Sequence, residues 1–250
     1  MFFDWFGRLG PKGALLALTI TASCTVKEDR SVCPCLLAIS LSAPGPADYR
    51  LVDSEGAVLK EGSVTRDTVL QIGVPRSGVK LLAVAGAQLS DGVRIPLGSQ
   101  CPPLYLFCSR FGTDYESLLV NAVLKKHFCQ LHLVLDGPPG DGKPVEVMVR
   151  GEVDGVGSDG RPSAGSFRCS ALQGLCRLPR QAPGDRLWLD IVMEDRVVRT
   201  FALGTYIREA GYDWTQASLD DITIYISLSV TQIRFRIQDW SLTVDLNVEI

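Results

Sequence analysis

The sequence predicts an all-β protein, two β-sandwich domains in tandem behind a lipoprotein signal peptide. Three observations lead there. Apolar and polar residues alternate with period two along much of the chain, most clearly from Ile222 to Ile250, and no long amphipathic stretch competes. A Gly/Pro-rich break, "DGPPGDGKP" from Asp136 to Pro144, separates two halves of similar design. An apolar run near the N-terminus ends in small residues and a cysteine, "LTITASCTVKED" over residues 18–29.

The N-terminal run reads as an export signal. Arg8 and Lys12 precede Ala14–Ile20, which is too short to span a bilayer, and Thr21-Ala22-Ser23 lead into Cys24. Two processing routes fit. Signal peptidase cleaves after a small residue and leaves Cys24 a plain thiol, or "TASC" acts as a lipobox and Cys24 becomes a lipidated N-terminus. The second is the expectation, with residues 1–23 removed and 24–35 serving as a tether. The Lys27-Glu28-Asp29 cluster is a solvated linker in the simplest reading. It also resembles the signal that sends some lipoproteins to the outer face of the outer membrane.

Residues 36–136 are assigned to the first sandwich. Leu37, Ile39 and Leu41 alternate with small residues, and Thr68–Val74 and Val79–Ala85 are strand-like runs flanking the turn Pro75–Gly78. Cys129, Leu131, Leu133 and Leu135 share one face of a half-buried strand. Residues 137–144 are the linker and 145–250 the second sandwich, with strands at Val145–Val149, Leu187–Ile191 and Val197–Phe201. Gly204–Ala210 reads as a short helix capped by Gly211. Ile222, Ile224, Ile226 and Leu228, then Ile233, Phe235 and Ile237, then Leu242, Val244, Leu246, Val248 and Ile250 give half-buried antiparallel strands to the last residue. The last five are a candidate partner strand: they pair within their own sandwich or complete a neighbouring subunit.

Composition narrows the function. The formal net charge of the 250-residue chain is −3 and no Lys/Arg block occurs, so nucleic acid is not an expected partner. Eight cysteines suit an oxidising compartment, and with Cys24 lipidated an odd number remains. Cys169 and Cys176 are the candidate local disulfide; one of Cys33 and Cys35 reaching Cys101 or Cys108 is a further option. Gly137–Lys143 fits the first seven positions of a phosphate-binding loop, but Pro144 stands where magnesium needs Ser or Thr, and a strand follows instead of a helix. No Gly-x-Ser-x-Gly elbow accompanies His127 or His132, and the cysteine spacings do not suit zinc. Neither a catalytic site, a cofactor nor a small-molecule substrate is expected.

Several stretches together resemble subunits of the Bacteroidales-type (type V) fimbriae, above all their lipid-anchored minor subunits. They are "CTVKEDRSVCPCLL" from Cys24, "LPRQ" at Leu178–Gln181 followed by "RLWLDI", "FALGTYI" at Phe201–Ile207, "GYDW" at Gly211–Trp214, "LDDITIYI" at Leu219–Ile226, and Trp240. The resemblance implies two transthyretin-like β-sandwiches and a non-enzymatic role as the lipoprotein anchor or an accessory subunit of a surface filament. It implies other fimbrial subunits and the outer membrane as partners, with assembly by strand complementation. Stalk subunits of that family lose an N-terminal strand after cleavage at arginine, and Arg30 and Arg50 are the positions to consider here. The competing reading is a surface carbohydrate-binding lipoprotein, which requires exposed tryptophan; Trp188 and Trp240 fall in strand runs, where burial is expected.

Overall fold

The computed structural model describes residues 33–136 except 91, and 146–245 except 172–173, 183, 185 and 229–231. The signal segment, Cys24, Arg30, the break at 137–144 and Leu246, Val248 and Ile250 lie outside them. In chain order the strands of the first half are β1 (Cys35–Ser42), β2 (Ala47–Asp53), β3 (Val58–Val64), β4 (Thr68–Val74), β5 (Val79–Ala85), β6 (Gly92–Arg94), β7 (Tyr105–Phe111), β8 (Ser117–Val123) and β9 (Lys125–Lys126). There follow β10 (Phe128–Asp136), β11 (Glu146–Gly157), β12 (Pro162–Ser170), β13 (Leu175–Pro179), β14 (Leu187–Met193) and β15 (Arg196–Phe201). The helix α1 (Leu203–Glu209), β16 (Ile222–Leu228), β17 (Gln232–Ile237) and β18 (Trp240–Asp245) complete the order.

These strands form four sheets: A, in the order β4-β1-β8; B, β3-β2-β5-β7-β9; C, β12-β11-β14-β15 with β6 also on β11; and D, β13-β10-β16-β17-β18. Two apolar cores result. Sheets A and B enclose the first, where Leu37, Ile39 and Leu41 of β1 meet Leu51, Leu81 and Ala83. Sheets C and D enclose the second, which includes Leu131, Val149, Phe167, Leu189, Ile224 and Phe235. This is the expected all-β sandwich architecture, and the alternation at β1, β16 and β17 places one face of each strand in a core.

Strand β5 departs from alternation for a physical reason. Val79, Leu81, Ala83 and Ala85 enter the first core, while Leu82 and Val84 enter the second. A strand buried on both faces reads as an unbroken apolar run, and "LLAVA" over Leu81–Ala85, after Lys80, is one. Sheet B is therefore packed on both sides near this strand.

The division at 137–144 requires correction. Strand β10, expected to close the first sandwich, pairs antiparallel with β13 and parallel with β16. It belongs to the second core, and His127 alone separates it from β9 of sheet B. The Gly/Pro-rich stretch is thus a connection between two strands of one sandwich, β10 and β11. Gly and Pro report where a strand ends, not which sheet it joins.

The β5–β7 connection also belongs to the second core. In it β6 pairs with β11 through Gly155↔Arg94, Val156↔Val93 and Gly157↔Gly92. The same edge of β11 carries β14 over Glu146–Gly151, so two strands lie end to end along it. Ile95 donates to the Asp154 carbonyl at 2.7 Å, and Cys101 donates to the Arg177 carbonyl at 3.0 Å. Val93, Ile95, Cys101 and Leu104 are buried there. A three-residue strand of this kind carries no alternation, so sequence periodicity does not reveal it.

Candidate assembly interface

In a sheet protein, partners are offered strand edges and sheet faces, and sheet A is distinctive in both. Its edge strands β4, "TVLQIGV", and β8, "SLLVNAV", contain no charged residue. Among the described residues, the edge strands of sheets B and C and β13 of sheet D each carry at least one: Lys60 and Glu61 in β3, both residues of β9, Arg168 in β12, Arg177 in β13, and Arg196 and Arg199 in β15. Charges at an edge discourage added strands, because pairing would desolvate them. Sheet A lacks that protection on both sides.

Strand β1 holds sheet A together. It pairs antiparallel with β4 from Cys35↔Val74 to Leu41↔Thr68, and parallel with β8 from Leu36↔Ser117 to Ser42↔Val123. Its inward residues Cys35, Leu37, Ile39 and Leu41 are at most 1% exposed. Removing β1 would separate β4 from β8 and open an apolar slot between them. The outward face is uncharged and mixed, with exposed Leu36, Val69, Leu119 and Val123 set among Ser40, Gln71, Ser117 and Asn121. Arg50, considered as a processing position, lies within β2, bonded to Glu61 at 3.2 Å and to the Ser90 carbonyl at 3.0 Å. A protease needs an extended, unpaired segment, so cleavage there would first require β2 to leave its sheet.

The C-terminal candidate strand is placed in part. Residues 240–245 form β18, antiparallel to β17 with Phe235↔Leu242 and Ile233↔Val244. Leu242 and Val244 thus lie in register within their own sheet, of which β18 is the outer strand.

The motifs "LPRQ" and "GYDW" meet at one buried cation. Arg180 is 7% exposed, and its guanidinium donates to the carbonyls of Trp214, Gln216 (2.8 Å), Ala217 (3.3 Å) and Lys126 (3.4 Å). The loop after α1 is thereby hooked onto β13 and onto the junction between the sandwiches. Tyr212 packs edge-on against Trp214 at 4.8 Å, and its hydroxyl donates to the Asp220 carbonyl at 2.7 Å. Trp214 lies in the second core, and Tyr212, partly buried, packs against it.

His127 completes the junction. Its Nδ1 accepts from Arg180 Nε at 3.2 Å. Burial, and then the Arg180 charge, push its pKa down to about 4. The unfolded chain, with an ordinary histidine pKa near 6.5, takes up this proton first. Stability is therefore complete above about pH 6.5 and is lost as pH falls toward 4. Allowing for partial exposure, the loss is on the order of 2 kcal/mol. Urea midpoints of the wild type and His127→Gln should converge toward pH 4 and separate above pH 6.5. Parallel curves over that range would show that the histidine does not titrate as stated.

The cysteines are distributed between the two cores. Cys35 is in the first and Cys101 in the second, so that pairing is not formed. Cys108 lies against Gly160 and the Asp159 carbonyl. Cys169 and Cys176 face one another with Sγ atoms 2.8 Å apart. No group of three or more metal-binding side chains occurs among the described residues, and no helix there is long and apolar enough to cross a membrane.

Comparison with solved structures places this geometry. The fimbrial anchor protein Mfa2 from Porphyromonas gingivalis superposes with a TM-score of 0.63 at 12% identity, over 84% of this chain and 99% of that one. The two share a fold. A provisionally assigned adhesin from Bacteroides ovatus gives 0.62 at 13% identity, over 84% of this chain and 95% of that one. A provisionally assigned polysaccharide-binding protein from Bacteroides thetaiotaomicron gives 0.61 at 11%, over 84% and 98%. No protein-family model matches the sequence, and no curated protein matches it. At such identities the likeness is one of fold.

Proposed function

We propose that this protein is a non-enzymatic subunit of a cell-surface fimbrium, tethered to the outer membrane through a lipid on Cys24 and joined to other fimbrial subunits by strand pairing. The observation that carries the reading is the pair of charge-free edges on sheet A, with β1 filling the apolar slot between them. The fold likeness to a fimbrial anchor supports it, and so does the small-residue run before Cys24. The resemblance to lipid-anchored subunits implies a first strand and a lipid that are both kept. Here β1 is fully integrated, and only ten residues separate Cys24 from Cys35.

Carbohydrate binding is the weaker reading. Trp214 is buried against Tyr212, Trp188 lies under the Arg150 guanidinium at 4.5 Å, and Trp240 packs on Tyr206 at 5.5 Å. A sugar needs an open aromatic face to stack on, and these three rings are engaged.

The test uses intact cells. Cys24→Ala should move the protein, and the filaments it holds, from the membrane fraction to the medium. A photocrosslinker at Leu119 of β8 should capture a filament-forming subunit, while one at Val197 of β15 should not. Filaments that stay cell-bound in the Cys24 variant, with no subunit captured at Leu119, would refute the proposal.

A further inference from the structure

We propose that Cys169 and Cys176 are joined in the exported protein as a disulfide that staples sheet C to sheet D, and that Cys101 and Cys129 in the same core stay reduced. Cys169 is on β12 of sheet C, facing inward beside Val149 of β11. Cys176 is on β13 of sheet D, opposite Leu131 of β10. The chain changes sheets between them, so the bond would span the sandwich and not merely close a hairpin. The two sulfurs stand 2.8 Å apart, and a bond length near 2.05 Å is reached by a shift of less than about 1 Å.

The neighbouring thiols are held differently. Cys129 is hydrogen-bonded to Tyr212, and burial pushes the thiols of Cys101 and Cys129 up to about 12, so both stay protonated and unreactive. Cys101 sits on the connection beyond β6, fixed by its backbone bond to Arg177. None of the four cysteines is more than 1% exposed. Selectivity therefore follows from which sulfurs the fold places together.

The chemistry balances as an exchange with an exported disulfide oxidant. One cysteine, as thiolate, attacks the oxidant's disulfide and releases one of its sulfurs as a thiol. The other cysteine, having lost its proton, attacks the mixed disulfide and releases the second. The protein loses two hydrogens and the oxidant gains them. Burial of both sulfurs fixes the timing, since an oxidant can reach them only before the core closes. The same burial then shields the finished bond from reductants.

The protein isolated from cells, alkylated before and after denaturation, tests this. Peptide mapping should show Cys169 linked to Cys176, with Cys101 and Cys129 alkylated only after denaturation. A thiol reductant should leave the link intact in the folded protein and cleave it in denaturant. Replacing both residues by serine should lower Tm by roughly 5–10 °C. Should that variant fail to accumulate, mapping of the wild type still decides. Alkylation of both Cys169 and Cys176 in the isolated protein, or linkage of either to Cys101 or Cys129, would overturn the staple. Ready reduction in the folded state would overturn the shielding.

Discussion

Arg180→Met is expected to lower the unfolding free energy by at least about 3 kcal/mol. The methionine keeps much of the volume and removes every donor. The carbonyls of Trp214, Gln216, Ala217 and Lys126 then lose a charged partner, and His127 Nδ1 loses its own. Each buried acceptor left without a partner costs roughly 1–3 kcal/mol, reduced where water can enter. Lysine does not repair the site. Its ammonium has three donors at one point, whereas the guanidinium reaches acceptors on two sides through a planar fork. Denaturant melts of Arg180→Met and Arg180→Lys check this. Tyr212 and Trp214 supply a local readout, since the loop that carries them should fluoresce as a solvated segment. A loss below 1 kcal/mol in both variants would mean that the loop is held by its aromatics alone.

Gly155→Ala should cost about 2–4 kcal/mol, although it adds one methyl group. Gly155 has φ +154°, and a Cβ there would lie 1.9 Å from the Val93 carbonyl oxygen. That atom belongs to the backbone of β6 and cannot rotate aside. The substitution must therefore push β6 off β11, exposing Val93 and Ile95 and breaking the bonds that hold the connection. Amide exchange should accelerate at Val93, Arg94 and Ile95, with little change in β16 and β17. Exchange that rises uniformly along the chain would show a global effect instead. Gly92, on the facing strand with φ +127°, predicts the same response, since a Cβ there would lie 2.4 Å from the Val156 carbonyl oxygen.

Much of the architecture was legible because one-sided burial writes period two into a strand. Leu37–Leu41, Ile222–Ile226 and Ile233–Ile237 are read this way, and each lines a core. Helix α1 falls within one residue of its expected span, with Gly211 after it at φ +82°. What escaped is what depends on distant partners. β6 is too short for any period, and β5, read correctly as a strand, gives no local sign that its two faces enter different cores. The register of β10 in sheet D rests on β13 and β16, which follow it by dozens of residues. The break at 136–144 misled for the same reason, since a turn signal is local and sheet membership is not.

The candidate sites divide along the same line. The spacing of Cys169 and Cys176 suggested a bridge, and the fold places their sulfurs in contact across a sandwich. The absence of charge in "TVLQIGV" and "SLLVNAV" was present in the letters. It gained meaning only once topology made both strands edges of one sheet. Arg180 gave no sequence signal of burial, because an isolated arginine is ordinarily a surface residue. Only the carbonyls gathered around it reveal its role.

The β5–β7 connection has a mechanical consequence. Any two-sandwich chain held at one end and pulled at the other must pass tension between its sandwiches. A single covalent crossing at His127 would act as a hinge, with all load on one backbone. Here β6 hydrogen-bonds a segment of the first half to β11 of the second, and Leu82 and Val84 press sheet B onto the same core. The load divides between two routes, one covalent and one cohesive. Bending at the junction has to break both, so the two sandwiches yield to a pull as a single stiff link.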